Sequence, residues 1–233
     1  MEQDKFREDV LKKDASLITD LSSESDVMLI AFGGIASEIG IPVFEFFKLL
    51  SRFAVKKIFV RDLEQTWYHN GLKGVGNDID AIATYLQTQI TQHKVRRVIM
   101  IGNSAGGYAA LLFGLLVEVD EVHAFSPQTF INWQQRLWHL DFRWRQQIRK
   151  LYQSSHFDQR YLDLKPLFQS RPSKTKFHIY FCERDRLDNL HASRMDGCSN
   201  LELHKYQEGG HRLVKWLKDR GDLETLIAQA LQG

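Results

Sequence analysis

The sequence predicts an α/β fold: a mostly parallel central sheet with helices on both faces. Three observations carry this. Short apolar runs alternate with segments of helical periodicity along most of the chain. One run, Val98 to Ile101, leads straight into Gly102-Asn103-Ser104-Ala105-Gly106-Gly107, which reads as a strand, a sharp turn and a helix. Residues suited to chemistry (Ser104, Asp185, His211) follow the ends of apolar runs, on the rim where open α/β sheets bind ligands.

The elements follow in order. Leu17 to Leu21 can add a strand before Val27 to Phe32, an apolar run that ends at Gly33-Gly34. Pro42 opens a helical segment over 43–53, and Lys57 to Val60 is the next strand. Asn77 can cap a helix whose apolar face is Ile79, Ile82, Ala83, Leu86 and Ile90. Val98 to Ile101 lies under the serine, and the small residues Tyr108 to Gly114 continue as a helix. Glu121 to Phe125, Phe177 to Cys182 and Leu201 to Tyr206 are further strands. A closing helix carries Leu213, Val214 and Leu217 and resumes after Gly221 with Leu223, Leu226 and Ile227. Right-handed crossovers then align the C-terminal ends of the strands.

Composition bounds the rest. A chain of 233 residues that is 43% apolar fills one core with an insertion. The 31 Lys and Arg nearly cancel the 29 Asp and Glu, so no global charge points to nucleic acid. The charged start, Met1 to Asp9, lacks the apolar stretch of a signal peptide, and no run is long enough to span a membrane. Cys182 and Cys198 lie in no metal or redox motif, and reduced cysteines fit a cytoplasmic protein. No metal cluster is visible, so no cofactor is expected, and the glycine run lacks the Gly-Lys-Ser/Thr ending of a phosphate loop.

A serine hydroxyl needs a base, and the base needs an acid to hold its tautomer. His211 leads among nine histidines because it follows the last strand in Gly209-Gly210-His211; His69 and His191 are its rivals on rim loops. His123, His178 and His204 lie inside strands and read as packing or surface residues. Asp185, after the strand ending at Cys182, is preferred as the acid, with Asp188 three residues on as the alternative and as the cap of the following helix.

The elbow and the order Ser104, Asp185, His211 resemble the α/β-hydrolase superfamily, from Val27 to the C-terminus. The resemblance implies acyl hydrolysis or transfer through an acyl-serine. It implies an oxyanion hole from the amides of Ala105 and Gly34, with Ile35 as alternative donor and pocket residue. Phe32 stands where many members have histidine, and the chain is short of the family's leading strands. Residues 1–127 and 176–233 form the expected core, and 128–175 resembles the helical cap of the family.

Trp67 and Tyr68 on one rim loop and Trp133 in the insertion are candidates to line the substrate pocket. The insertion is also basic. Arg136, Arg143, Arg145, Arg149 and Lys150 are among nine cations set against Asp141, Asp158 and Asp163, which suits a solvated face or an acidic acyl-carrier partner. The leading function is an esterase or thioesterase. Alternatives are an acyltransferase, an amidase and a non-catalytic binding module on the same scaffold.

Overall fold

The apolar runs are too short for helices and are rich in Val, Ile and Phe, so they pair as buried strands. A computed structural model of the chain describes residues 15–35 and 46–232. The strands are β1 (Leu17–Asp20), β2 (Val27–Phe32), β3 (Lys56–Val60), β4 (Arg97–Asn103), β5 (Glu121–Phe125), β6 (Lys176–Cys182) and β7 (Leu201–Tyr206). They form one sheet in the order β1-β3-β2-β4-β5-β6-β7. All neighbours are parallel except β1, which runs antiparallel to β3.

The two-residue period of a strand divides the core between the two faces. Met28, Ile30 and Phe32 pack on one side with α2 (Ile79–Gln92) and α3 (Ala105–Val117). Leu29 and Ala31 face the other side, with α1 (Phe47–Leu50), α8 (Leu213–Arg220) and α9 (Asp222–Gln232). Helix α3 is buried along nearly its whole length, which explains its run of small and apolar residues.

Three expectations are corrected or bounded here. Asp78, not Asn77, caps α2, accepting from the Ala81 amide at 2.7 Å. The closing helix is two helices, because Gly221 takes the left-handed conformation (φ 82°) between α8 and α9. Of the helix expected over 43–53, residues 43–45 lie outside the described residues, as does the charged start Met1 to Asp9, and only Phe47–Leu50 is helical.

The segment 128–175 holds α4 (Trp133–Trp138), α5 (Arg145–Gln153), a 3₁₀ turn (Gln159–Tyr161) and α6 (Leu164–Ser170) before β6 begins. Phe168 of α6 packs edge-on against Phe177 of β6, so this last helix also serves as the crossover to the next strand.

Candidate active site

The turn at Ser104 places three demands on the chain. Ser104 has φ 56° and ψ −118°, a strained conformation for a residue with a Cβ. Its own amide is held by the Phe125 carbonyl at 2.8 Å, and its carbonyl accepts the Tyr108 amide at 3.0 Å. Strand and helix also close tightly around it. A Cβ at Gly102 would lie 2.0 Å from the Gly106 carbonyl oxygen, and one at Gly106 would lie 2.2 Å from that of Phe32. Glycine is therefore required at both positions.

The candidate base, His211, arrives from the loop after β7. Gly209 (φ 97°) and Gly210 (φ 52°) turn that loop into a 3₁₀ turn carrying His211. Ser104 Oγ lies 3.2 Å from His211 Nε2. On the other side of the ring, Nδ1 lies 2.8 and 3.0 Å from the two carboxylate oxygens of Asp188. An ionised carboxylate only accepts, so Nδ1 carries the proton and Nε2 is left to accept from the serine.

Asp185 does not join this series. Its carboxylate caps α7 (Arg186–Ser193), accepting from the amides of Leu187 and Asp188 at 3.1 and 3.0 Å. The roles expected of the two aspartates are thus exchanged. The physical reason is that the capping residue must turn its side chain back onto the helix end. Asp188, one turn on, projects from the helix and is buried against the imidazole. Burial alone pushes the Asp188 carboxyl up. The hydrogen bond and charge of His211 and the charge of Arg143 outweigh it and hold the carboxyl below its ordinary range.

Gln128, which carried no sequence signal, and Arg143, expected on an exposed basic face, both turn towards these residues. Gln128 Nε2 donates to Ser104 Oγ at 2.9 Å, and the Trp67 indole N–H donates to Gln128 Oε1 at 3.3 Å. The indole can only donate, so it fixes which end of the amide faces the serine. Arg143 forms a fork on buried Asp141 (3.0 and 2.9 Å) and reaches Asp188 at 3.2 Å. His191 donates from Nε2 to Asp141 at 3.0 Å and accepts the Thr129 amide on Nδ1 at 3.0 Å. A network in the insertion thus ends on the carboxylate that holds His211.

The remaining candidates separate clearly. Trp67 is buried and linked to the serine through Gln128. Tyr68 is fully buried; its hydroxyl donates to the Gly33 carbonyl at 2.8 Å and its ring packs edge-on against Phe32 and Phe113. Both have positive φ (52° and 67°), and the buried Asp62 carboxylate pins the loop by accepting from the amides of Thr66 and Tyr68 at 2.6 and 2.9 Å. Trp133 is 56% exposed. It lines an outer groove of about 800 Å³ with Tyr152 and Phe157, away from Ser104, Asp188 and His211. Ile35 is half-buried at the edge of the core beside Gly34. The Gly33 amide is held by the Val60 carbonyl at 2.8 Å. Of the rival histidines, His191 belongs to the Asp141 network, and His69 is buried beside Tyr108 and Phe157.

The basic insertion is also less free than its composition implies. Arg143 is turned inward, Arg160 pairs with Asp80 at 2.7 Å and with Asp158 at 2.6 Å, and Lys150 pairs with Glu64. Arg145 and Arg149 are exposed.

No protein-family profile matches this chain, and no curated protein matches it in sequence. Solved structures do match in fold. A capsule O-acetyltransferase of Neisseria meningitidis serogroup A superposes with a TM-score of 0.65 at 16% identity, covering 91% of this chain and 90% of that one. MenH from S. aureus superposes with a TM-score of 0.57 at 15% identity, covering 93% and 98%. Acetyl xylan esterase 1 from Thermoanaerobacterium sp. superposes with a TM-score of 0.55 at 18% identity, covering 89% and 77%. The chain has the fold of the α/β-hydrolase superfamily. Among the described residues no helix is long and apolar enough to cross a membrane.

Proposed function

We propose that this α/β-hydrolase-fold chain is a serine hydrolase that cleaves an acyl ester or thioester through an acyl-serine. The observation that carries the reading is the series Ser104 Oγ, His211 and Asp188, joined at 3.2 and 2.8 Å on a serine held at positive φ.

The chemistry follows from the geometry. His211 Nε2 takes the proton as Ser104 Oγ attacks the acyl carbonyl, and Asp188 stabilises the imidazolium that forms. His211 then gives that proton to the departing alcohol or thiol. Water, deprotonated by the same nitrogen, releases the acid in the second half. Gln128 acts as a positioning residue, holding Oγ against the imidazole.

The oxyanion is assigned to the amides of Ala105 and Gly34. Ala105 opens α3, where helix N–H groups point outward, and the backbone of Phe32 and Gly33 closes against Gly106, with Phe32 O 2.2 Å and Gly33 C 2.9 Å from where a Cβ would lie. Residues 128–175 serve as a lid, coupled to the site through Arg143 and Asp188. It leaves Trp138 83% and Leu137 57% exposed, and Arg145 and Arg149 in the same segment are exposed as well. An acyl group on an acidic carrier would meet this segment. Charge reversal at Arg145 and Arg149 should then slow cleavage of carrier-bound acyl groups more than of small esters, and equal loss on both removes the carrier.

The decisive test is profiling across acyl esters and thioesters of graded length, with Ser104→Ala as control, together with labelling by a fluorophosphonate. A folded wild-type chain that no serine-directed probe labels would leave only a binding module. The likeness to an O-acetyltransferase favours a second reading, in which an alcohol replaces water as acceptor. Product analysis with added alcohols separates the two.

A further inference from the structure

Two and three strands across the sheet from β4, a second cluster is assembled by strand register. Parallel pairing sets His178 opposite Glu202 and Tyr180 opposite His204. Residues two apart share a face, so His178, Glu202 and His204 converge on one side of β6 and β7 although 24 residues of chain separate His178 from Glu202.

The ligand atoms form a triangle. His178 Nδ1 and His204 Nε2 are 3.0 Å apart, and Glu202 Oε2 lies 3.5 Å from the first and 3.8 Å from the second. The circle through these three points has a radius of about 2.0 Å, so an ion at about 2.1 Å, the bond length of zinc to imidazole nitrogen or carboxylate oxygen, sits above their plane with a side left for a fourth ligand. Edges of roughly 3.4 Å are those of a tetrahedron at that bond length.

The surroundings orient the ligands. His178 Nε2 faces the Glu121 carboxylate at 3.4 Å, an arrangement that favours the tautomer with its proton on Nε2 and a lone pair on Nδ1 turned to the triangle. A carboxylate behind a ligating histidine is the usual outer partner of a bound metal. Glu121 is itself held by Arg97 at 2.7 Å, and Tyr180 stacks on His204 with ring centroids 4.4 Å apart. Without a cation, His178 Nδ1 and His204 Nε2 share a hydrogen bond at 3.0 Å, which a bound ion would replace by displacing one proton. An adjoining cavity of about 310 Å³ leaves room for a water as fourth ligand.

We propose that His178, Glu202 and His204 bind a divalent transition metal of the zinc class, which clips the edge strand β7 to β6. The donor set of two imidazoles and one carboxylate suits zinc, copper or nickel rather than calcium or magnesium. Binding is independent of the hydrolase reading, because none of these residues belongs to the serine site.

The test is calorimetric titration of the chelator-treated full chain with zinc chloride at pH 7.5, with cobalt absorption as a second probe. One equivalent should bind, with tetrahedral cobalt bands and a raised thermal midpoint. His178→Ala and His204→Gln should each weaken binding at least tenfold, and Glu121→Gln about tenfold. Their metal-free thermal midpoints should match the metal-free wild type, which separates lost ligation from lost fold. His211→Ala should bind as wild type. No heat or cobalt band at 100 μM metal, as an order-of-magnitude ceiling for a built site, would overturn the proposal. So would binding that survives the His178/His204 double substitution, or binding that is lost with His211.

Discussion

The Asp188 carboxylate grips His211 Nδ1 with both oxygens, at 2.8 and 3.0 Å, while Asp185 three residues earlier holds only the end of its own helix. The two aspartates should therefore fail differently. Asp188→Asn leaves an amide that favours the wrong imidazole tautomer, and kcat should fall by about 10⁴. Asp185→Asn keeps a capping side chain, and Asp185→Ala should lower stability by about 1 kcal/mol with kcat largely retained. Steady-state kinetics and urea unfolding of the three variants check this; a larger kcat loss in Asp185→Asn than in Asp188→Asn would reverse the assignment.

Strain at Ser104 has its own signature. Ser104 sits at φ 56° and ψ −118°, which costs a side chain on the order of 1–3 kcal/mol. Ser104→Gly should remove labelling by fluorophosphonate and raise the thermal midpoint above that of Ser104→Ala. Equal midpoints would mean that the turn is unstrained.

Gln128 should behave as a group that holds Oγ rather than one that moves a proton. Gln128→Leu should slow acylation by roughly tenfold or more, the low end of losing a preorganised donor. KM and the acidic limb of the pH profile should stay in place. Trp67→Phe, which frees the amide to rotate, should give part of the same loss. A shifted pH limb would count against a positioning role.

Acid should unfold the chain early. Burial pushes the His191 and His69 imidazoles down to about 4 from an ordinary 6.5. The unfolded chain binds protons between those values that the folded chain does not. Stability therefore rises with pH across that window and is lost as pH falls from 6.5 towards 4, by on the order of 3 kcal/mol per histidine. His191→Gln should flatten the decline in urea midpoint between pH 7 and pH 4.5 by about half, with His69 supplying the rest.

Arg143 carries a contact between the insertion and Asp188. Arg143→Met removes the fork from Asp141, which is buried, and should cost about 3–5 kcal/mol. Adding Asp141→Asn should recover part of that loss, because the stranded charge is then gone. A double-mutant cycle measures the coupling; additive losses would show that the pair does not act as a unit.

The elements were legible because each is a local matter. A run such as Val27–Phe32 is apolar on both faces, as a central parallel strand must be, and its bounds can be read from the residues alone. The elbow was legible for the same reason, since Gly102, Ser104 and Gly106 meet a steric demand within five residues. The glycines before His211 likewise marked a loop that turns back over the rim.

What the residues alone determined is therefore the sheet, the serine on its turn and the histidine that could return to it. The tertiary structure decided which aspartate faces that histidine, that an amide from Gln128 steadies the hydroxyl, and that Trp133 lies outside the site. It also brought three polar side chains of β6 and β7 into one triangle. Each of these depends on where side chains far apart in the chain point once packed, and that direction is set by helix ends, strand register and burial.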